Sequence, residues 1–439
     1  RGVEAWWEDA RTVLQSHDAA PADRPAVRRI NVADIRDAHP GTQTAGIEEA
    51  LAAAGDGPVE LWLPRDRGPY EITAEVRHAK NYYPMSGQIL LLGRGDVHFV
   101  SDGARIVFRE RFLAASSMQF AEEGTFTRPI ERISFRGLIF DGRGTSSSVL
   151  QFRHAARVLI EDCRFTGLNN SREGHPGAIE STSMGDNLWV RNCRFDDGAF
   201  GLYLDGQLSS GVLDCEFGEG LGRGGMLMLT NNDMAPFSAA QRSTQYVAIA
   251  GNRFRLPPSA NAVQATAARL LVTGNHQHGQ LRHFVDLTGR GPSNIVPGLT
   301  YRGGGHLIAD NRLERVRQVV HLRGHTVEPA RVTAADLTRV LDNRVAWAES
   351  LLGLSATNDA EGPAGVEASQ NLVLDGIRWA LSLNHRVGGG PVSAVRVERN
   401  RLVGSQARVI WAGTGRYADI RVTDNRLAGF AAPPIDGPA

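Results

Sequence analysis

The sequence predicts an all-β chain wound as a parallel solenoid of about ten to twelve coils, with a helical cap at its N-terminal end. Three observations lead there. One short motif recurs along the chain, a second strand-like run precedes each copy, and both alternate with the period of two expected of strands rather than the 3.6 of a helix.

The clearest copies surround the three cysteines: "VLIEDCRF" from Val158, "LWVRNCRF" from Leu188 and "GVLDCEF" from Gly211. The pattern also appears as "ISFRGLIF" from Ile133, "VAIAGNRF" from Val247, "LLVTGNHQ" from Leu270 and "HLIADNRL" from His306. It continues as "VLDNRV" from Val340, "LVLDGIRW" from Leu372, "VRVERNRL" from Val395 and "IRVTDNRL" from Ile420. Where the first full copies carry Cys163, Cys193 and Cys215, later ones carry Asn252, Asn275, Asn311, Asn343, Asn400 and Asn425. The companion runs include "VLQF" at Val149, "AIES" at Ala178, "GLYL" at Gly201, "FVDL" at Phe284 and "VVHL" at Val319.

Coils of this kind stack about 4.8 Å apart, each burying its inward side chains against the next. A residue at the tight turn then meets its equivalent one coil away. Asn suits that column because its amide bonds both the local backbone and the neighbouring Asn. Cys fills the same space as a small apolar residue. The three cysteines are therefore read as turn residues. A single-file stack offers one ligand per coil, which is poor tetrahedral geometry for a metal, and three thiols cannot all pair as disulfides.

Composition narrows the function classes. Lys plus Arg and Asp plus Glu number 48 each, so no general attraction to nucleic acid or to a membrane surface is implied. Lys80 is the single lysine, which leaves almost no scope for a lysine base. No apolar run approaches the ~18 residues of a membrane helix. The expected organisation is an N-terminal extension over residues 1–40, a β-helix over 41–430 and a Pro/Gly-rich tail over 431–439.

"TAGIEEALAAAGDGPVELWLPRDRGPYEI", residues 44–72, reads as an amphipathic helix, a strand, a Pro turn and a second strand. With the repeats, this entry resembles the right-handed parallel β-helix, or pectate-lyase-like, superfamily of carbohydrate-active type. The resemblance implies a right-handed parallel β-helix over roughly residues 40 to 430 and a polysaccharide or oligosaccharide substrate lying on the strand before each turn. It also implies a secreted or periplasmic protein, monomeric or homotrimeric, with no cofactor. It is specific for fold and weak for chemistry. The motif set of polygalacturonase-type hydrolases has only a partial echo in "FDDG" at Phe195, and the converging carboxylates of calcium-dependent pectate lyases are not found.

Alternation on the companion strands then selects the outward residues. One column reads Gln151, Glu180, Tyr203, Gln264, Asp286, His321 and Ser382; two residues on, another reads Arg153, Thr182, Asp205, Thr230, Thr266, Thr288, Arg323, Ser355 and Asn384. Two clusters stand out. Glu180, Tyr203 and Asp205 place two carboxyl groups roughly 8 Å apart, inside the ~6.5–9.5 Å used by inverting glycosidases. Asp286, His321 and Arg323 lie beside the loop "NHQHGQLRH", which adds His276, His278 and His283. A His or Tyr base beside an arginine that neutralises a uronate carboxylate is suited to β-elimination or C5 epimerisation.

The expected catalytic set is thus His321, Arg323, Asp286, Tyr203, Glu180 and Asp205. Arg153, Gln151, His175, Gln264, Arg290, His283 and Asn384 are expected to bind substrate, and no metal is assigned. A lyase or epimerase on an acidic polysaccharide is the preferred reading. An inverting hydrolase using Glu180 and Asp205, or a non-catalytic tailspike-like binding solenoid, stays open beside it.

Overall fold

In a computed structural model of the chain, the polar pair that closes each repeat explains the winding. The residue before each turn Cys or Asn takes the left-handed backbone region: φ is 53° at Asp162, 50° at Asn192, 52° at Asp214, 55° at Asp310 and 52° at Asp342. Among residues with a side chain, Asn and Asp enter that region most readily. Gly251 and Gly274 fill it in two further copies. The strand stops there and the chain turns into the next one.

The structure describes residues 2–18, 27–79, 85–117, 129–170, 177–182, 185–229, 244–288, 304–323, 336–355, 363–384, 392–404, 408–413, 415–429 and 435–436. These form two compact units, one over residues 10–223 and one made of residues 224–439 with residues 1–9. Strand pairings are parallel throughout, apart from an antiparallel pair, Arg77–His78 with Ser86–Gly87. The fold is a parallel β-helix.

In the first unit, helices Val32–Ala38 and Ile47–Ala54 lie against the first strands, Arg28–Asn31 and Val59–Leu63. The helix, strand, Pro turn and strand read from residues 44–72 are all present, ending in the strand Tyr70–Glu71. Val97–Ser101, Ile130–Arg136, Ala155–Glu161, Asp186–Arg191 and Leu208–Leu213 extend the same parallel ladder. The Phe of the cysteine motif stacks from coil to coil. Ring centroids are 5.2 Å apart for Phe140 and Phe165, 4.9 Å for Phe165 and Phe195, and 5.0 Å for Phe195 and Phe217. All four rings are fully buried or nearly so, and such offset aromatic contacts add to the hydrophobic gain. Cys163, Cys193 and Cys215 are free and buried. Burial first of all drives the Cys163 and Cys193 thiols well above their usual range, so they act as small apolar fillers rather than nucleophiles.

In the second unit the asparagines form a continuous ladder. Asn252 donates through Nδ2 to Asn275 Oδ1 at 3.0 Å, and the same contact at 2.9 Å links Asn275 to Asn311, Asn311 to Asn343, Asn343 to Asn371, Asn371 to Asn400 and Asn400 to Asn425. Asn371 was hidden from the repeat pattern. The copy read from Leu372 lies one strand late: Ala364–Ser369 is the strand before that turn, and Leu372 opens the following one.

His306 lies inside this unit, and burial, aided by Arg269, lowers its pKa to about 3. An unfolded chain would bind a proton there near pH 6.5. Below that pH the unfolded state holds more protons than the native one, so stability falls as pH falls. The loss grows by about 1.4 kcal/mol per pH unit, reaching about 2 kcal/mol at pH 5. Urea unfolding at pH 7 and pH 5 should show this decline in the native protein and a flatter dependence in His306→Gln. An equal decline in both would remove His306 as the cause.

Candidate active site

Five adjacent strands of the second unit set the site: Asn261–Ala265, His276–Thr288, Arg312–Arg323, Arg344–Ser355 and Trp379–Asn384. Their register places Gln264, Asp286, His321, Gly353 and Ser382 side by side, with Thr288, Arg323, Ser355 and Asn384 two residues further on. The flanking Val263, Val285, Val320, Leu352 and Leu381 are buried and hold the strands from within. The outward columns read from alternation are therefore real alignments in space.

Asp286 is the hub. It is 5% exposed, and its Oδ1 lies 3.1 Å from His321 Nδ1. Its Oδ2 accepts from Arg323 Nη2 at 2.9 Å and from Asn261 Nδ2 at 3.2 Å. Burial opposes the charge, but the His321 hydrogen bond and the Arg323 cation outweigh it and hold the carboxyl below its ordinary range. A carboxylate can only accept, so Nδ1 of His321 carries a hydrogen, and Nε2 is the nitrogen left to face the cleft chemistry. That nitrogen lies 3.5 Å from Ser355 Oγ.

His283 completes the group. Its ring centroid is 4.6 Å from that of His321. Burial pushes its pKa down to about 3, so the imidazole is neutral at physiological pH. Its Nδ1 is buried without a hydrogen-bond partner among the described residues. Donor atoms of His283, Asp286 and His321 all lie within 4.8 Å of one another. Two imidazoles and a carboxylate are a donor set that Zn²⁺-class ions accept, so these three residues could hold one. The segment "NHQHGQLRH", expected as a loop, is strand from His276 onward; of its histidines His283 alone enters this group, and His278 bonds Glu314 instead.

A cleft of about 370 Å³ opens over His321 and His283. Arg282, Arg317, Gln318, Glu349, Trp379 and Trp411 form its walls, and Gly353 and Ser382 its floor. Gly353 stands beside His321 in the register. A Cβ there would run into the Gln318 amide, so glycine keeps the floor open. The Trp379 and Trp411 rings lie 6.0 Å apart on successive coils. Arg317 pairs with Glu349 at 3.1 Å, whereas the exposed Arg282 guanidinium has no ion-pair partner among the described residues. Arg282, Gln318, Trp379 and Trp411 escaped the sequence reading; for Arg282 the reason is that the strand His276–Thr288 shifts register between Gln277 and Gln280 and loses simple alternation.

The first unit holds the other predicted cluster. Gln151, Glu180 and Tyr203 share one register position. The Glu180 carboxylate accepts from Arg111 Nη2 at 3.2 and 3.3 Å and from Gln151 Nε2 at 2.9 Å. Asp205 is completely buried and Tyr203 is 9% exposed; Arg153 is buried as well. Arg111 and Gln151 thus occupy the Glu180 carboxylate, and Asp205 is closed to solvent. His175 and Arg290 lie outside the described residues, as does the side chain of Asn384.

No family model matches the sequence, and no curated protein does. The structure is similar to several solved ones. The A-module of Azotobacter vinelandii mannuronan C-5 epimerase AlgE6 aligns with a TM-score of 0.55 at 13% identity, over 92% of this chain and 99% of that one. The AlgE4 A-module from the same organism gives 0.54 at 13% identity, over 93% and 100%. A double-mutant tailspike protein of E. coli bacteriophage HK620, in complex with a pentasaccharide, gives 0.58 at 11% identity, over 96% and 84%. Identities this low carry the fold alone, and that fold is the parallel β-helix. No helix among the described residues is long and apolar enough to cross a membrane.

Proposed function

We propose that the cleft over His321 removes the C5 proton of a uronate unit in an acidic polysaccharide, making the protein a polysaccharide lyase or C5-epimerase that works outside the cytoplasm. The observation that carries this reading is the Asp286–His321 pair under an arginine-rimmed cleft. A neutral imidazole whose Nδ1–H is fixed by a carboxylate presents Nε2 as a base. Arg282, without an ion-pair partner among the described residues, supplies the positive charge that a uronate carboxylate requires as electrons flow onto it. Arg323, already bonded to Asp286, steadies the dyad. Trp379 and Trp411 offer apolar faces to sugar rings. The likeness to two epimerases and to a tailspike bound to a pentasaccharide supports a carbohydrate ligand.

The chemistry balances simply. His321 Nε2 takes the C5 proton, and the electron pair moves into the carboxylate as an enediolate facing Arg282. In elimination the pair returns to form the C4–C5 double bond while the C4–O bond breaks, and the leaving oxygen takes a proton. In epimerisation a proton returns to C5 from the opposite face.

The test is turnover on a panel of polyuronates and neutral glycans in D₂O, following ultraviolet absorbance, reducing ends and deuterium at C5. Unsaturated products or C5 deuteration are expected. Reducing ends with neither would establish hydrolysis and sink the proposal, as would tight binding with no turnover. Within an active enzyme, Arg282→Gln should raise KM for the polyuronate by about tenfold or more, the worth of a charge-assisted hydrogen bond. An unchanged KM would take Arg282 out of substrate recognition.

A further inference from the structure

The residue that follows each turn asparagine in the second unit builds a column of its own. Register places Arg253, His276, Arg312 and Arg344 on successive coils and, past Leu372, Arg401 and Arg426 on the next two. Arg312, Arg344, Arg401 and Arg426 are exposed. Among the described residues, none of these four guanidinium groups has an ion pair or a hydrogen bond. Of the nearby acids, Asp310, Asp342 and Asp424 sit on the left-handed turn two residues upstream and pair with none of them, Glu314 bonds His278 and the Gly279 N–H instead, and Glu398 pairs with Arg399. On the strand Arg312–Arg323, by contrast, Arg317 is matched with Glu349 and Arg323 with Asp286, and Arg315 lies over the Trp347 ring.

Like charges stacked directly opposite one another in a sheet repel. A column that keeps them without counter-charges is poised for an anion that brings its own. The spacing indicates which kind. Arg312 and Arg344, and again Arg401 and Arg426, are one coil pitch of about 4.8 Å apart, with Leu372 taking one coil between the pairs. That pitch is close to the advance of one sugar in an extended 1,4-linked chain, and a polyuronate offers one carboxylate per sugar. Guanidinium and carboxylate match as two-pronged partners. The column contains no Phe, Tyr or Trp and a single imidazole, His276, so it lacks the run of stacking platforms that single-stranded nucleic acid uses.

We infer that this arginine column is a second binding track for a linear acidic polysaccharide, separate from the cleft and anchoring the polymer while the cleft handles one sugar. The inference rests on the acidic-polysaccharide reading above and extends it. Arg312 stands nine residues before His321 on the strand Arg312–Arg323, so the column can be altered without touching the Asp286–His321 pair.

The test uses the full chain carrying Arg312→Ser, Arg344→Ser and Arg401→Ser together, with Arg344→Ser alone as a milder variant and circular dichroism to confirm folding. Calorimetry measures the Kd for a long polyuronate and for a uronate trisaccharide, at low and at physiological salt. The triple variant should bind the long polymer about tenfold or more weakly, with a shallower salt dependence, while trisaccharide binding and its turnover stay unchanged. The same comparison in a His321→Ala background reads the column without turnover, so an inactive cleft leaves the result interpretable. Polymer binding within about twofold of wild type would overturn the track, as would a wild type that binds no polyuronate. Equal binding of single-stranded DNA, lost in the same variant, would also overturn it by showing a general polyanion surface.

Discussion

His321→Ala is expected to reduce kcat by about 10²–10⁴-fold, the usual contribution of a positioned general base, with little change in thermal stability. The half-buried imidazole makes one strong contact, to Asp286 at 3.1 Å, and borders open cleft on its other side. Its removal deletes the proton acceptor without opening the core. Asp286→Asn should act almost as severely for a different reason. An amide can donate as well as accept, so it no longer fixes Nδ1–H on His321, and Arg323 and Asn261 lose the anion they hold. Steady-state rates on the active polyuronate, alongside melting curves, provide the check. A His321→Ala enzyme with near-native kcat would end the base assignment, and attention would move to His283.

Asn343→Ala should cost about 3–5 kcal/mol of stability, from several buried groups each losing its partner. Asn343 is fully buried. Its Oδ1 accepts from the Asn311 amide nitrogens, N at 3.1 Å and Nδ2 at 2.9 Å. Its Nδ2 donates to Ile308 O and to Asn371 Oδ1, each at 2.9 Å. Truncation therefore strands the Asn311 donors and the Ile308 carbonyl on the coil before, while Asn371 Oδ1 keeps only the backbone N–H of residue 343. Against a typical net stability of about 5–15 kcal/mol, the change is large. Cys193→Ala, at the equivalent turn of the first unit, should cost much less, because its thiol makes only weak contacts with backbone carbonyls. Equilibrium urea unfolding of both variants measures the difference. If Asn343→Ala cost no more than Cys193→Ala, the ladder would be decorative.

The contrast between these two turns shows how much was legible beforehand. Cys163, Cys193 and Cys215 exposed the repeat because "CRF" and "CEF" are conspicuous against a chain otherwise free of cysteine. Counting by twos from there aligned Gln264, Asp286 and His321 correctly, since those residues lie on regular strands with apolar neighbours on the other face. The same count also aligned Glu180 with Tyr203. It could not show that Arg111, distant in sequence, reaches Glu180 and occupies its carboxylate. Nor could it show that Asp205, outward by parity, is sealed from solvent.

The histidine-rich strand marks the limit most sharply. His276, His278 and His283 look equivalent in a string of letters. The register shift between Gln277 and Gln280 turns one of them toward His321 and another toward Glu314. Trp379 and Trp411 carry no signal of their own in the sequence; successive coils bring both to one wall.

Sequence alone therefore determined the winding: period-2 alternation, a polar pair whose first member tolerates left-handed backbone, and a stackable turn residue are local properties that repetition turns into a parallel β-helix. Only the tertiary structure decided which polar columns are open to a ligand and which are closed on themselves. Burial and ion pairing depend on side chains that arrive from other coils, and a one-dimensional pattern carries no record of who arrives.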